Sequence, residues 1–165
     1  MSFLEIQRAE IGRDYECSVL PPITAEELIE YARTLGIEDP LWLDPEAARA
    51  GPLGRLVGLP TFVVKLRGSF YVPPLAASEM SRSGFVGFDG GKDIEFGVPI
   101  EPGDSITVRS RITEIYEKTG RSGSMVFLVY RQELRNQRDE LIANVDSRML
   151  QKIPPLPTPT VDGDT

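Results

Sequence analysis

The stretch that decides the fold is PTFVVKLRGSFYV, residues 60–72. Its apolar side chains, Phe62, Val63, Val64, Leu66, Phe70, Tyr71 and Val72, cover most of a helical circumference. A helix apolar nearly all round has no face for water and belongs inside a protein. The β-branched and aromatic content would also suit a buried strand. Length and the proline at the first position favour the helix, and Pro73–Pro74 stops it. Lys65 and Arg67 are unusual on such a helix. Each can pair with a carboxylate, extend along the sheet edge to water, or meet a phosphate.

Downstream the chain reads as β. Ala76–Phe88 is small and polar, a loop or flap. Lys92–Val98 reads as a strand, and Gly90–Gly91 before it as a tight turn or a place where backbone approaches a ligand. Glu101–Pro102–Gly103–Asp104 is a turn. Ser105–Tyr116 alternates, with Ile106, Val108 and Ile112 on one face and Thr107, Arg109 and Arg111 on the other. Lys118–Gly123 reads as a loop carrying Arg121. Ser124–Leu134 has a continuous apolar middle, MVFLVY, so both its faces should be covered. Asn136–Glu140 is a hairpin loop and Leu141–Ile153 the last strand. Residues 154–165, proline-rich and polar, are expected to be a disordered tail.

Upstream, Asp14–Leu20 reads as a short strand ending at Pro21–Pro22. Thr24 and Glu27 form a capping box for a helix whose inner face is Leu28, Ile29, Ala32 and Leu35. Gly36 suits the left-handed position after its last turn. Asp44 caps the next helix, Pro45 takes its first position and Gly51 ends it. Leu53–Leu59 is a glycine-punctuated loop. A helical first third, one buried helix and an antiparallel meander make an α+β chain with one domain over residues 1–153.

The composition excludes several functions. The chain has 165 residues, a net charge of −7, one cysteine and no histidine. The acidic balance argues against a nucleic-acid binder. Without histidine there is no Ser-His-Asp or Cys-His catalysis and no ordinary zinc site, so no metal is expected. Cys17 cannot form an internal disulfide and reads as a packing residue. No stretch has the length of apolar sequence that crosses a membrane as a helix, and no basic-then-apolar leader opens the chain. Cytoplasm is the expected compartment.

The segment YARTLGIEDPLWLDPEAARA, residues 31–50, resembles the catalytic stretch of MaoC-like (R)-specific enoyl-thioester hydratases and dehydratases. That family carries Gly-Asp-x-Asn-Pro-aliphatic-His, then five residues and a small one. Gly36, Asp39, Pro40, Leu41 and Ala48 take the glycine, asparagine, proline, aliphatic and small positions. The catalytic aspartate and histidine fall on Ile37 and Trp42. GLPTF at 58–62 is similar to the junction where the family places its thioester-binding amide. DGGKDIEFGVPIEPGD at 89–104 looks like its strand and Pro-x-x-x-Gly-Asp turn. KTGRSGSMVF at 118–127 resembles the amino-terminal, non-catalytic repeat of double-hotdog members. In order, these cover roughly residues 12–153.

The resemblance implies a hotdog fold, one antiparallel sheet wrapped around a central helix at about 60–72. It implies a protein without the family's proton-transfer pair, since Ile37 and Trp42 exchange no protons with water. The other explanation is that both are ordinary packing residues. The family contains partner subunits that lack the pair and shape the acyl channel. The expected role is that of such a subunit in a heteromeric hydratase or dehydratase, so whether the chain alone is an enzyme stays open. The ligand would be an acyl thioester of coenzyme A or acyl carrier protein, with no other cofactor. The chain should be a homodimer alone and a heterodimer with a catalytic hotdog subunit. Candidate substrate contacts are Thr61 and Phe62, whose amides lie at the positive end of the helix, with Gly90, Gly91, Lys65 and Arg121. Glu38, Asp39 and Asp44 keep open a carboxylate-dependent thioesterase, and a stand-alone dehydratase with an atypical site is a further alternative. In the simpler account Asp39 and Asp44 cap turns. A pure acyl-thioester sensor would usually need an effector domain, and none is evident.

Overall fold

The computed structural model describes residues 8–9, 11–15, 19–66, 87–120 and 123–152. Among the described residues five strands form one antiparallel sheet: β1 (Asp14–Tyr15), β2 (Gly87–Phe96), β3 (Thr107–Gly120), β4 (Gly123–Arg135) and β5 (Leu141–Lys152), in the order β1-β3-β4-β5-β2. The helices α1 (Ala25–Thr34) and α2 (Pro45–Ala50) and the 3-10 turns Pro40–Trp42 and Pro60–Val64 lie between β1 and the long strands.

Local chemistry sets the helix ends. The Thr24 hydroxyl accepts from Glu27 N–H at 3.1 Å, and the Glu27 carboxylate accepts from Thr24 N–H at 2.8 Å. Two of the free amides at the helix start are thereby satisfied. Gly36 has φ +73, the left-handed stop that the sequence demands. Asp39 and Asp44 each accept a backbone N–H two residues on, starting the first 3-10 turn and α2. Leu35, expected on the inner face of α1, is instead 51% exposed, because the helix ends at Thr34 and the chain turns away.

The inner face of the sheet packs on the Pro60–Leu66 segment. Phe62, Val63 and Leu66 join Ile106, Val108, Leu134, Ile142, Ala143 and Val145, with Leu28 closing the side. This is the sheet-on-central-segment packing expected of a hotdog. The described part of the segment differs from the expected helix in its winding: Pro60–Val64 is a 3-10 turn. Residues 67–72, with Arg67, lie outside the described residues, as do Cys17, residues 76–86, Arg121 and residues 154–165.

Three loop expectations change. The strand expected from Lys92 begins by Gly87, so the last two residues of the supposed flap are strand. Gly90–Gly91 is no turn. It is a bulge in β2, where register passes from Asp89↔Met149 to Lys92↔Ser147, Gly91 has φ +95, and the Leu150 side chain lies over Gly90. Lys118–Gly123 is mostly strand, since β3 and β4 pair as far as Gly120↔Gly123.

The outer face of the sheet is charged. Arg131 grips Asp146 with two hydrogen bonds, 2.8 and 2.6 Å; Arg148 pairs with Asp93, Arg135 with Glu133, and Asn144 donates to Glu95. The Arg131 and Arg135 guanidiniums hold the Asp146 and Glu133 carboxyls below the usual carboxylate range. Asp104, 1% exposed, accepts from Glu101 N–H and Gln137 and forms an ion pair with Arg138. It thereby ties the turn before β3 to the β4–β5 hairpin.

Candidate functional site

Gly58, Leu59 and Pro60 run into the second 3-10 turn beside the segment Phe96–Ile100, which leaves the end of β2. Gly58 N–H donates to the Ile100 carbonyl at 2.8 Å, so the two segments are stitched together. A Cβ at Gly58 would come within 2.9 Å of a terminal methyl of Leu28, so a larger residue here would have to displace that side chain of α1. Gly97 and Val98 continue the sheet, their N–H groups donating to Ile142 and Leu141 carbonyls.

Between these segments lies a cleft of about 120 Å³, walled by Gly58–Pro60, Val63, Phe96–Ile100 and Ile142. A dry apolar cavity of ~150 Å³ takes up a benzene molecule, so this one suits a small apolar group. Phe96 is 50% exposed and Val98 39% at its rim. No titratable side chain lines it. It can hold and shield an apolar group, and it has nothing with which to move a proton.

Tyr31 joins this cleft's turn to the helix before it. Its hydroxyl donates to the Thr61 carbonyl at 3.0 Å, and its ring meets Phe62 edge-on at 5.2 Å. Five residues on from Tyr31 the Gly36 turn begins, leading to Ile37 and Trp42. Both side chains are half-buried and outside the main core clusters. The frame around them is ordered: Leu41 lies where a Cβ of Gly51 would be, and Ala48 is buried.

The expected substrate contacts divide. Phe62 N–H is not free; it donates to the Leu59 carbonyl at 2.8 Å, and the Phe62 ring is core. Thr61 N–H, one residue earlier, has no side-chain cap or backbone acceptor among the described residues. The tight winding explains the difference, since a 3-10 turn closes its first hydrogen bond one residue sooner than an α-helix. Lys65 is exposed, with its amine 5.3 Å from the Phe62 ring centre. Gly90 and Gly91 form the bulge described above. Arg109 and Arg111 lie on the outer face of β3, away from the cleft. Asp39 and Asp44 hold backbone amides, and no three metal-binding side chains cluster among the described residues. No helix among those residues is long and apolar enough to cross a membrane. The rim residues Phe96 and Val98 were not singled out from sequence. Their signal was an apolar residue on either side of Gly97, read there as ordinary strand.

Residues 9–145 match the model of a family described as FAS1-like, dehydratase domain region. The UPF0336 protein of Streptomyces griseus is 24% identical over 155 residues, 90% of this chain and 97% of its own. Among solved structures, the ChsH1-ChsH2 complex of Mycobacterium tuberculosis matches with a TM-score of 0.76 at 15% identity, over 94% of this chain and 99% of that one. The MaoC-like dehydratase of Rhodospirillum rubrum matches at 0.67 and 20%, over 92% and 98%. The HadBC 3R-hydroxyacyl-ACP dehydratase complex of Mycobacterium tuberculosis matches at 0.64 and 21%, over 86% and 96%. At these identities the structural likeness is one of fold, and the fold is the hotdog.

Proposed function

This chain belongs to the FAS1-like dehydratase family, among the MaoC-like hotdog proteins, and we propose that it is the non-catalytic, channel-forming subunit of a heteromeric (R)-specific enoyl-CoA hydratase or 3-hydroxyacyl-thioester dehydratase. One observation carries the proposal. The cleft at the Pro60 turn has no proton-transfer group, and the family resemblance puts Ile37 and Trp42 at the positions of the hydratase aspartate and histidine. Hydration requires a positioned base for water and an acid for the carbon that receives the proton. This chain supplies wall and frame, and a second hotdog supplies the pair.

The sheet edge supports a partner. β2 pairs only with β5, so its other edge has no strand beside it among the described residues. Such an edge invites pairing, and the half-exposed Phe96 and Val98 lie at its end, on the rim of the cleft. Two of the matching structures are complexes of two named chains. The ligand is an acyl thioester on coenzyme A or acyl carrier protein. Thr61 N–H is the described amide available to its carbonyl, and Lys65 the described cation nearest that turn for a carrier phosphate.

The test is enzymatic. The purified chain should leave crotonyl-CoA and longer enoyl-CoAs unhydrated, and a hotdog partner that retains the aspartate and histidine should restore hydration. Strong hydration by the chain alone would overturn the assignment. Thiol release from acyl-CoA, abolished by Asp39→Asn, would replace it with a thioesterase.

A further inference from the structure

Towards one end of the strands the charge on the outer face of the sheet gives way to an apolar row. Phe88 on β2 stands opposite Leu150 on β5, Leu150 opposite Phe127 on β4, and Phe127 opposite Tyr116 on β3. Strand alternation places all four on the face that carries Arg131 and Asp146. The Tyr116 and Phe127 rings stack, 4.8 Å apart and 8° from parallel, with the Lys118 amine 5.3 and 5.2 Å from their centres. None of the four belongs to either buried cluster, Phe88 is 53% exposed, and the other three are half-buried. A contiguous apolar row left on a surface marks a place where something docks.

The chain carries a segment suited to it. β5 ends at Lys152, two residues past Leu150, and IPPLPTPTVDGDT follows as residues 153–165. Pro154 and Pro155 lack the N–H that a strand between two neighbours must donate, so this sequence cannot prolong the ladder. Proline-rich chain takes up the polyproline II form, which needs no hydrogen bonds of its own and docks on aromatic side chains; Pro154 and Pro157 have the spacing that such surfaces read. Asp162 and Asp164 come after the prolines. On the same face, beyond the row, Arg109, Ser110, Arg111, Arg131 and Glu133 line a cavity of about 140 Å³. Asp146 holds Arg131 and Arg135 holds Glu133, while Arg109 and Arg111 make no ion pair among the described residues.

We propose that residues 153–164 fold back over the outer face, with the prolines on the row from Phe88 to Tyr116 and the two aspartates at Arg109 and Arg111. The reach suffices. Lys152 lies six residues beyond Asp146, which stands in register with Arg131 and through it with Arg111. At ~3.3 Å per residue and ~4.8 Å per strand, Arg111 is roughly 22 Å from the end of β5. Asp162 is ten residues past Lys152, and at ~3.1 Å per residue about 31 Å of chain is available to turn back and cover that distance. The docking is independent of the acyl-thioester assignment.

NMR on the full chain reads the segment through the amides of Leu156, Thr158 and Val161. Their order parameters should exceed ~0.6, above the range of flexible backbone, and Pro155 and Leu156 protons should show Overhauser contacts to the Phe127 and Tyr116 rings. Phe88→Ser with Phe127→Ser should drop all three below ~0.6 and leave the amides of the sheet unchanged. Arg109→Gln with Arg111→Gln should loosen Val161 and keep Leu156 ordered. Raising salt from about 0.01 to about 1 M, which shortens the screening length from about 30 to about 3 Å, should do the same. Low order parameters throughout the segment in the unmodified chain, or a rigid segment indifferent to Phe88→Ser with Phe127→Ser, would overturn the docking. So would ring contacts that appear only as concentration rises, which would give the row to a second copy of the chain.

Discussion

Phe96 offers a quantitative handle on the association edge. Its side chain is half-exposed at the end of β2, beside the apolar cleft. An aromatic side chain carries about 200 Å² of surface, so about 100 Å² remains for a partner to cover. At about 25 cal/mol per Å², covering it contributes about 2.5 kcal/mol, a factor of about 70 in the dissociation constant. Phe96→Ala should weaken association by that factor, measured by sedimentation equilibrium or calorimetry against the catalytic partner. The isolated chain should still fold, since Phe96 is not among the fully buried side chains. Val19 is the control: it is 67% exposed and bridges Thr107 on the opposite side of the sheet, so Val19→Ala should leave association unchanged. An unchanged dissociation constant for Phe96→Ala, with Val19→Ala equally silent, would refute the assignment of the β2 edge as the partner surface.

Other outcomes follow from single contacts. A Cβ at Gly97 would lie 2.0 Å from the Leu141 carbonyl oxygen, so Gly97→Ala must displace backbone and should cost about 2–3 kcal/mol in a urea melt. Arg131→Met should destabilise by about 1 kcal/mol at neutral pH, since Asp146 loses a two-pronged partner. Because the Asp146 pKa is lowered in the fold, this stabilisation is full above the ordinary carboxylate pKa of about 4 and is lost as pH falls through the lowered value. The melting difference between wild type and Arg131→Met should therefore close on acidification below that pH, and a pH-independent difference would contradict the pairing. Ile37→Asp with Trp42→His should give the partner-free chain weak crotonyl-CoA hydration, and either single change much less, as read by loss of enoyl absorbance.

The helix ends were legible because their causes are local. Thr24 and Glu27, Gly36, and Asp44–Pro45 each act within a few residues, and each does in the structure what its spacing implies. The meander was legible for the same reason, in the alternation around Ile106, Val108 and Ile112. What escaped depends on distant partners. Gly90 is glycine because Leu150, sixty residues on, lies over it, so a bulge was mistaken for a turn. Phe62 N–H was expected to be free, and the tight winding of the turn spends it on Leu59. The cleft combines residues near 58 and 98 with Ile142, and nothing in either local pattern announces the meeting. Ile37 and Trp42 were identifiable as replacements only through family resemblance, since a half-buried isoleucine or tryptophan has no local signature of lost chemistry.

Among the described residues the two sides of the sheet are unequal, and that inequality bears on how many chains could gather. On one side, β3 already has β1 and the bridges of Ile11 and Val19 beside it. On the other, β2 offers a straight run from Lys92 to Phe96, bounded by the bulge at Gly90–Gly91. If the β2 edge is where a partner docks, as proposed above, that margin gives the sheet a valence of one: two such chains satisfy each other and leave no growing end, so assembly halts at a pair instead of running on into a fibre.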